Sequence, residues 1–171
     1  MATRIIISAC LAGLHTRYDG KAKPHPQLRE IAERAVLVPM CPEILGGLGI
    51  PRPQCRFVGG DGAALLLKQA RLIDENGVDR TSFFLRAAHE CMRIVELVSP
   101  EIIIFKEGSP SCGVRRVDIE GSRQSGCGVV TAMIRDLNIV IISEEDPLPD
   151  LSSFDVRKSH SAKKRARLEP S

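Results

Sequence analysis

Four short apolar runs punctuate the chain, and none of them alternates with polar residues. They are Ile5-Ile6-Ile7-Ser8-Ala9, Val36-Leu37-Val38-Pro39-Met40, the segment 101–106 around Ile102-Ile103-Ile104-Phe105, and the segment 139–143. Unbroken runs of four to six aliphatic residues predict strands buried on both faces, as in a parallel sheet. Between them lie patterns of helical period. Residues 27–34 carry Leu28, Ile31 and Ala32 on one face, and residues 81–98 carry Phe84, Ala87, Ala88, Cys91, Ile94, Val95 and Val98. A third helix is expected over 128–137. Residues 65–67 and 70–73 read as a hairpin or edge strand before the turn Asn76-Gly77. Two segments, 41–62 and 107–126, are rich in glycine with proline or serine and show neither period. They are read as functional loops. Strands alternating with helices give the expected fold class: α/β, single-domain, a Rossmann-like doubly wound sheet, mostly parallel.

Three cysteines stand just past these runs. Cys10 follows the first, Cys41 follows the second, and Cys112 comes six residues after Lys106. In an open α/β sheet, ligands gather beyond the carboxyl ends of the strands. Residues remote in sequence can therefore meet there, and three thiols in one crevice point to soft-metal ligation or thiol chemistry. None of the six cysteines forms a C-x-x-C pair, which speaks against a zinc ribbon or a thioredoxin-like motif. A secreted disulfide scaffold would be shorter and loop-rich, so a cytoplasmic, reducing setting is expected.

Composition narrows the partners. Hydrophobic residues make up 43% and charged residues 26% of the 171, ordinary for a globular domain. There is no Trp and one Tyr, Tyr18, so no aromatic platform for single-stranded nucleic acid is evident. The net charge of +3 is concentrated at the end, where Arg157, Lys158, Lys163, Lys164, Arg165 and Arg167 stand against Asp155 and Glu169. The expected organisation is a near-neutral domain over 1–146 and a basic, mobile tail over 147–171. The tail offers at most a weak contact to RNA.

The loops carry an ordered series of motifs. It runs Ser8-Ala9-Cys10-Leu11-Ala12-Gly13, Arg17-Tyr18-Asp19-Gly20, Cys41-Pro42-Glu43-Ile44-Leu45-Gly46-Gly47-Leu48 and Pro51-Arg52-Pro53. It continues with Lys106-Glu107-Gly108-Ser109-Pro110-Ser111-Cys112-Gly113 and Gly128-Val129-Val130-Thr131-Ala132. In this order the series resembles the thiouracil desulfidase family, over residues 5–144. The resemblance implies a four-iron, four-sulfur cluster held by three cysteines, with one iron open to substrate sulfur. Cys10, Cys41 and Cys112 match those ligands, and Glu43 and Ser109 match active-site positions. It also implies a small thiolated pyrimidine, 2- or 4-thiouracil or a relative, as substrate. The family often has other residues where Cys55 and Cys127 stand.

Read by themselves, the residues leave alternatives open. Three thiolates suit an iron–sulfur centre, and three ligands rather than four leave an open Lewis-acid position. A zinc- or thiol-dependent enzyme, or a metal- or redox-sensing protein with an RNA-binding tail, uses the same residues. Glu43 is either a proton-handling carboxylate or a cap for backbone N–H groups, and Ser109 either a relay or a turn hydroxyl. Arg52 either binds a substrate carbonyl or closes a salt bridge. Cys91 reads as core and Cys55 as a loop thiol. Gly126-Cys127-Gly128, before a helix, offers N–H groups as an anion pocket.

Overall fold

The computed structural model describes residues 3–151. The expected basic tail beyond 151, and with it the RNA contact, lies outside the described residues. Two four-stranded sheets share one core. The first contains β1 (Thr3–Ser8), β2 (Ala35–Met40), β5 (Ile102–Phe105) and β8 (Val140–Ser143), in the order β2-β1-β5-β8. Every pairing in it is parallel, with Ile5 opposite both Leu37 and Ile102, and Ile103 opposite Ile141.

Alternate residues of the central strands point to opposite faces, and both faces are covered. Ile5, Ile7, Ile102 and Ile104 pack with Ile31 of α1 (Leu28–Arg34). Ile6, Ile103 and Phe105 pack with Phe84, Ala88, Cys91 and Val95 of α4 (Thr81–Val98), and with Val130 and Ile134 of α5 (Val129–Ile134). Burial on both sides is why these runs do not alternate. The doubly wound parallel sheet is therefore as the sequence predicts. Cys91, fully buried, is core.

Strand β2 departs from the expected double burial. It is an edge strand, half-exposed along most of its length, and this is the position where Pro39, lacking an N–H, fits. The chain passes from β1 outward to β2 and later returns to the other side of β1 as β5. The β1–β5 boundary is thus the topological switch point at which ligand crevices form.

The second sheet, ordered β4-β3-β6-β7, corrects the reading of both glycine-rich segments. Residues 41–62 contain α2 (Pro42–Leu45) and β3 (Cys55–Val58), and residues 107–126 contain β6 (Arg116–Ile119) and β7 (Ser122–Ser125). The expected strand over 65–67 falls in or beside α3 (Gly62–Leu66). The run 70–73 becomes β4 (Arg71–Asp74), an edge strand as expected, but antiparallel to β3 rather than to residues 65–67. Asp61 caps α3 by accepting from the Ala63 and Ala64 N–H groups at 3.0 and 3.2 Å, which sets the helix start where periodicity gave none. Strand β7 has no buried residue. It exists because Glu120 and Gly121, both at positive φ (54° and 85°), turn the chain back onto β6. Phe57, Leu72 and Val117 pack into the core on the α4 face, so this sheet is part of the same domain. Leu148 and Leu151 also pack, onto the α1 face.

Candidate active site

The three sequence-predicted cysteines sit on three different turns beyond the sheet. After β1, Leu11 and Ala12 donate to the Ser8 carbonyl at 2.8 and 3.2 Å, a tight turn that presents Cys10. Cys41 is the residue before α2, and its carbonyl accepts from Leu45 at 3.1 Å. Cys112 closes the turn after β5, where Gly113 donates to the Ser109 carbonyl at 2.8 Å. All three line a single cavity of about 260 Å³, together with Glu43, Ser109, Ser111 and Arg52.

Burial dominates the electrostatics of the thiols. It pushes Cys10 up to about 11, and nearby Cys41 adds to the rise, against smaller opposing effects of Lys106 and Arg17. Cys112 is pushed up to about 12, again by burial first, with Cys41 and Glu43 adding to it while the Ser111 hydroxyl opposes it. Cys41 is raised by burial. Cys41 thus acts electrostatically on both of the others. A bare cysteine nucleophile needs a depressed pKa in an electropositive setting, and none of these thiols has one.

The donor set fits an iron–sulfur cluster. The three soft thiols face one cavity, which Cys55 also lines, no histidine among the described residues lines it, and binding to iron relieves the cost of forming buried thiolates. Among the described residues, no three of His, Cys, Asp or Glu come close enough to hold one metal ion. A cluster does not require that closeness, because each thiolate takes a different iron.

Glu43, on the first turn of α2, is 14% exposed. Its Oε2 accepts from Arg52 Nε at 2.5 Å, and its Oε1 accepts from the Ser109 and Ser111 hydroxyls at 3.4 and 3.3 Å. These partners are side chains, so Glu43 is not the cap that a turn carboxylate commonly is. Ser109 has the contacts of a turn hydroxyl and also touches Glu43. Its Oγ accepts from the Ser111 and Cys112 N–H groups at 3.2 and 3.3 Å, shaping the ligand turn, and it also reaches Glu43. Arg52 closes the salt bridge.

Two residues at this site have no assigned role in the sequence reading. Ser111 bridges Glu43 Oε1 to the Cys112 sulfur, 3.5 Å away. Glu107, with its side chain 2% exposed, accepts at Oε1 from the backbone N–H groups of Gly108, Val114, Arg115 and Arg116 at 3.0–3.2 Å. Burial pushes its carboxyl up, but these four N–H groups more than offset that and hold it below the ordinary value. An acidic residue inside a glycine-rich segment with no hydrophobic period is the signal that points to such a role.

The remaining expectations separate. Cys55 begins β3 and lines the cavity, with its thiol held up to about 12 by burial and by Glu43 and Asp74. Cys127 does not line it; its sulfur lies 3.6 Å from Asp61 Oδ2. The anion pocket expected at Gly126-Cys127-Gly128 is not free. Their N–H groups donate to Arg115 O at 2.9 Å, Asp61 Oδ2 at 2.9 Å and Gly113 O at 2.8 Å. No helix among the described residues is long and apolar enough to cross a membrane.

Comparison with known proteins gives the family. Residues 5–146 match the family model described as 2-thiouracil desulfurase. The chain belongs to the 2-thiouracil desulfurase family. It is 30% identical over 145 residues to an uncharacterised protein of Bacillus subtilis (strain 168), YbbK, a match covering 83% of this chain and 96% of the relative. Among solved structures it is similar to a [4Fe-4S]-dependent thiouracil desulfidase, TudS. The TM-score is 0.72 at 34% identity, over 88% of this chain and 95% of that one.

Proposed function

We propose that this protein hydrolyses a thiolated pyrimidine, 2- or 4-thiouracil or a relative, to its oxo form. Sulfide is released and there is no net redox change. Cys10, Cys41 and Cys112 hold a [4Fe-4S] cluster through three thiolates. When bound, the cluster supplies a soft Lewis acid, at the iron without a protein ligand, for the thiocarbonyl sulfur.

The chain's own residues supply the rest. Glu43 Oε2 is tied to Arg52, which leaves Oε1 as the oxygen available for proton transfer. Its contacts to Ser109 and Ser111 at 3.4 and 3.3 Å are long, so a water competes for it readily. Glu43 takes a proton from that water as the new C–O bond forms. The C–S bond breaks, and Glu43 hands its proton to the departing sulfur. The water's other proton goes with it, so the sulfur leaves as H₂S and Glu43 returns to its starting state. Ser109, three residues from Cys112, orients the ring through its hydroxyl. The observation that carries this reading is that Cys10, Cys41, Cys112 and Glu43 line one cavity, with no histidine among the described residues lining it.

The test is anaerobic reconstitution, followed by loss of thiouracil absorbance for wild type and Glu43→Ala. Turnover by wild type and a loss of about 100-fold or more in the variant support the assignment. If reconstituted wild type leaves every thiopyrimidine untouched, the substrate reading is wrong. If Glu43→Ala keeps full activity, only the role of Glu43 fails.

A further inference from the structure

We propose that Arg52 is a positioning residue that fixes which oxygen of Glu43 faces the reacting position. This rests on the functional reading above. Arg52 stands between Pro51 and Pro53 and is 6% exposed. Each nitrogen of its guanidinium already has a protein partner. Nε donates to Glu43 Oε2 at 2.5 Å, Nη1 to the Gly49 carbonyl at 3.2 Å and Nη2 to the Thr16 carbonyl at 3.0 Å. Its backbone N–H donates to Tyr18 at 2.9 Å. A guanidinium this engaged and this buried does not reach out to a substrate carbonyl.

The same contacts show what it does instead. Arg52 joins the loop after β1, the loop after α2 and the carboxylate of α2 itself. The Thr16 carbonyl it holds also accepts from the Cys41 thiol at 3.8 Å, so one oxygen links the arginine to a candidate ligand. With Oε2 fixed, the plane of the Glu43 carboxylate is set and Oε1 faces Ser109 and Ser111. A glutamate without this partner rotates about its side-chain torsions, and a misplacement of about 1 Å costs on the order of 100-fold in rate. The rigid fork of arginine donates to three acceptors at once, whereas a lysine ammonium is a point charge without that fork.

The test compares anaerobically reconstituted wild type, Arg52→Met, Arg52→Lys, Glu43→Gln and the double variant. Arg52→Met is expected to lower kcat by about 100-fold and to leave KM within about threefold, with iron content unchanged. Arg52→Lys recovers only part of that loss. In the Glu43→Gln background, removing Arg52 is expected to change kcat by less than about threefold, because the arginine acts through the glutamate. Losses that multiply in the double variant overturn the proposal. So does a KM that rises in step with the loss of kcat/KM, which would make Arg52 a substrate-binding residue. If Arg52→Met fails to fold, Arg52→Lys reads the same split between kcat and KM. Crystal structures of the arginine variants separate this inference from the activity. If wild type turns over no thiopyrimidine, the functional reading has failed, and Glu43 Oε1 still held by Ser109 and Ser111 without Arg52 ends the positioning role as well.

Discussion

Replacing Glu107 by glutamine changes one atom, yet it is expected to loosen the turn that presents Cys112. The carboxylate accepts four backbone N–H groups at Oε1, from residues on both sides of Cys112. Its Oε2 is buried without a hydrogen-bond partner among the described residues, and its nearest cation is Arg115 Nη2 at 3.8 Å. In the glutamine variant the charge is gone, and the new NH₂ group faces either a buried position without an acceptor or the four N–H donors. Loss of a hydrogen bond to a charged group costs about 1.5–3 kcal/mol, and an unsatisfied buried donor adds to it, so a loss of about 3 kcal/mol is expected. That is about two orders of magnitude in the unfolding constant, or about 9 °C in Tm for a chain of this length.

The pH dependence supplies a second signature. Glu107 is held below its ordinary value of 4.5 in the folded state. The stability it contributes is therefore complete above that value and is lost as pH falls through the lower folded value. The gap between wild type and variant in urea denaturation should be constant above pH of about 5.5 and narrow below about 4.5. A Glu107→Gln protein that unfolds with wild type at neutral pH refutes the reasoning. If it is also inactive, Glu107 acts on substrate rather than on the turn.

Two further outcomes test how the cysteines are held. Anaerobically purified protein is expected to be brown with about four irons per chain, and serine at Cys10, Cys41 or Cys112 to abolish that colour, while Cys91→Ser, in the core, affects stability instead. Colourless protein containing zinc contradicts the cluster. Gly128→Ala is expected to lower both stability, by about 1–3 kcal/mol, and iron content, because a Cβ there meets the Ser111 carbonyl carbon at 2.4 Å and the Cys112 nitrogen at 2.7 Å. Normal iron retention in that variant removes the coupling between the start of α5 and the ligand turn.

What was legible in the sequence follows from what is buried twice. Strands β1 and β5 and helix α4 are visible because each residue's environment is set by the sheet or the helix stripe it belongs to, and those runs carry no competing signal. Of the second sheet only the edge strand β4 was visible, as the run 70–73. Strand β7, Ser-Arg-Gln-Ser, has nothing to bury and takes its conformation from the Glu120-Gly121 turn and from β6. β3 and β4 pair across α3, so the partner of β4 did not show in the sequence. The three thiols were legible as a group because strand ends share one side of a parallel sheet. Their supporting contacts were not, since a single serine or glutamate in a loop has no periodicity to betray its partner.

Those contacts have a common form that the chemistry of the site requires. The loops around the cavity have no regular ladder to join, so polar groups fix them. Arg52 ties α2 to the loop after β1. Glu107 gathers four N–H groups around the Cys112 turn, and Glu144 accepts from the Glu107 N–H at 2.7 Å while pairing with Lys106. Asp61 accepts from Cys127 just before α5, whose start packs against the backbone of that same turn. Each of these carboxylates has a cation or backbone N–H groups as partners. The same partners then hold the loops. Precision at the site therefore comes from acids that each gather several N–H or cation partners. For that reason a change of one such acid to its amide, which leaves shape almost untouched, separates a charge-held site from one held by packing.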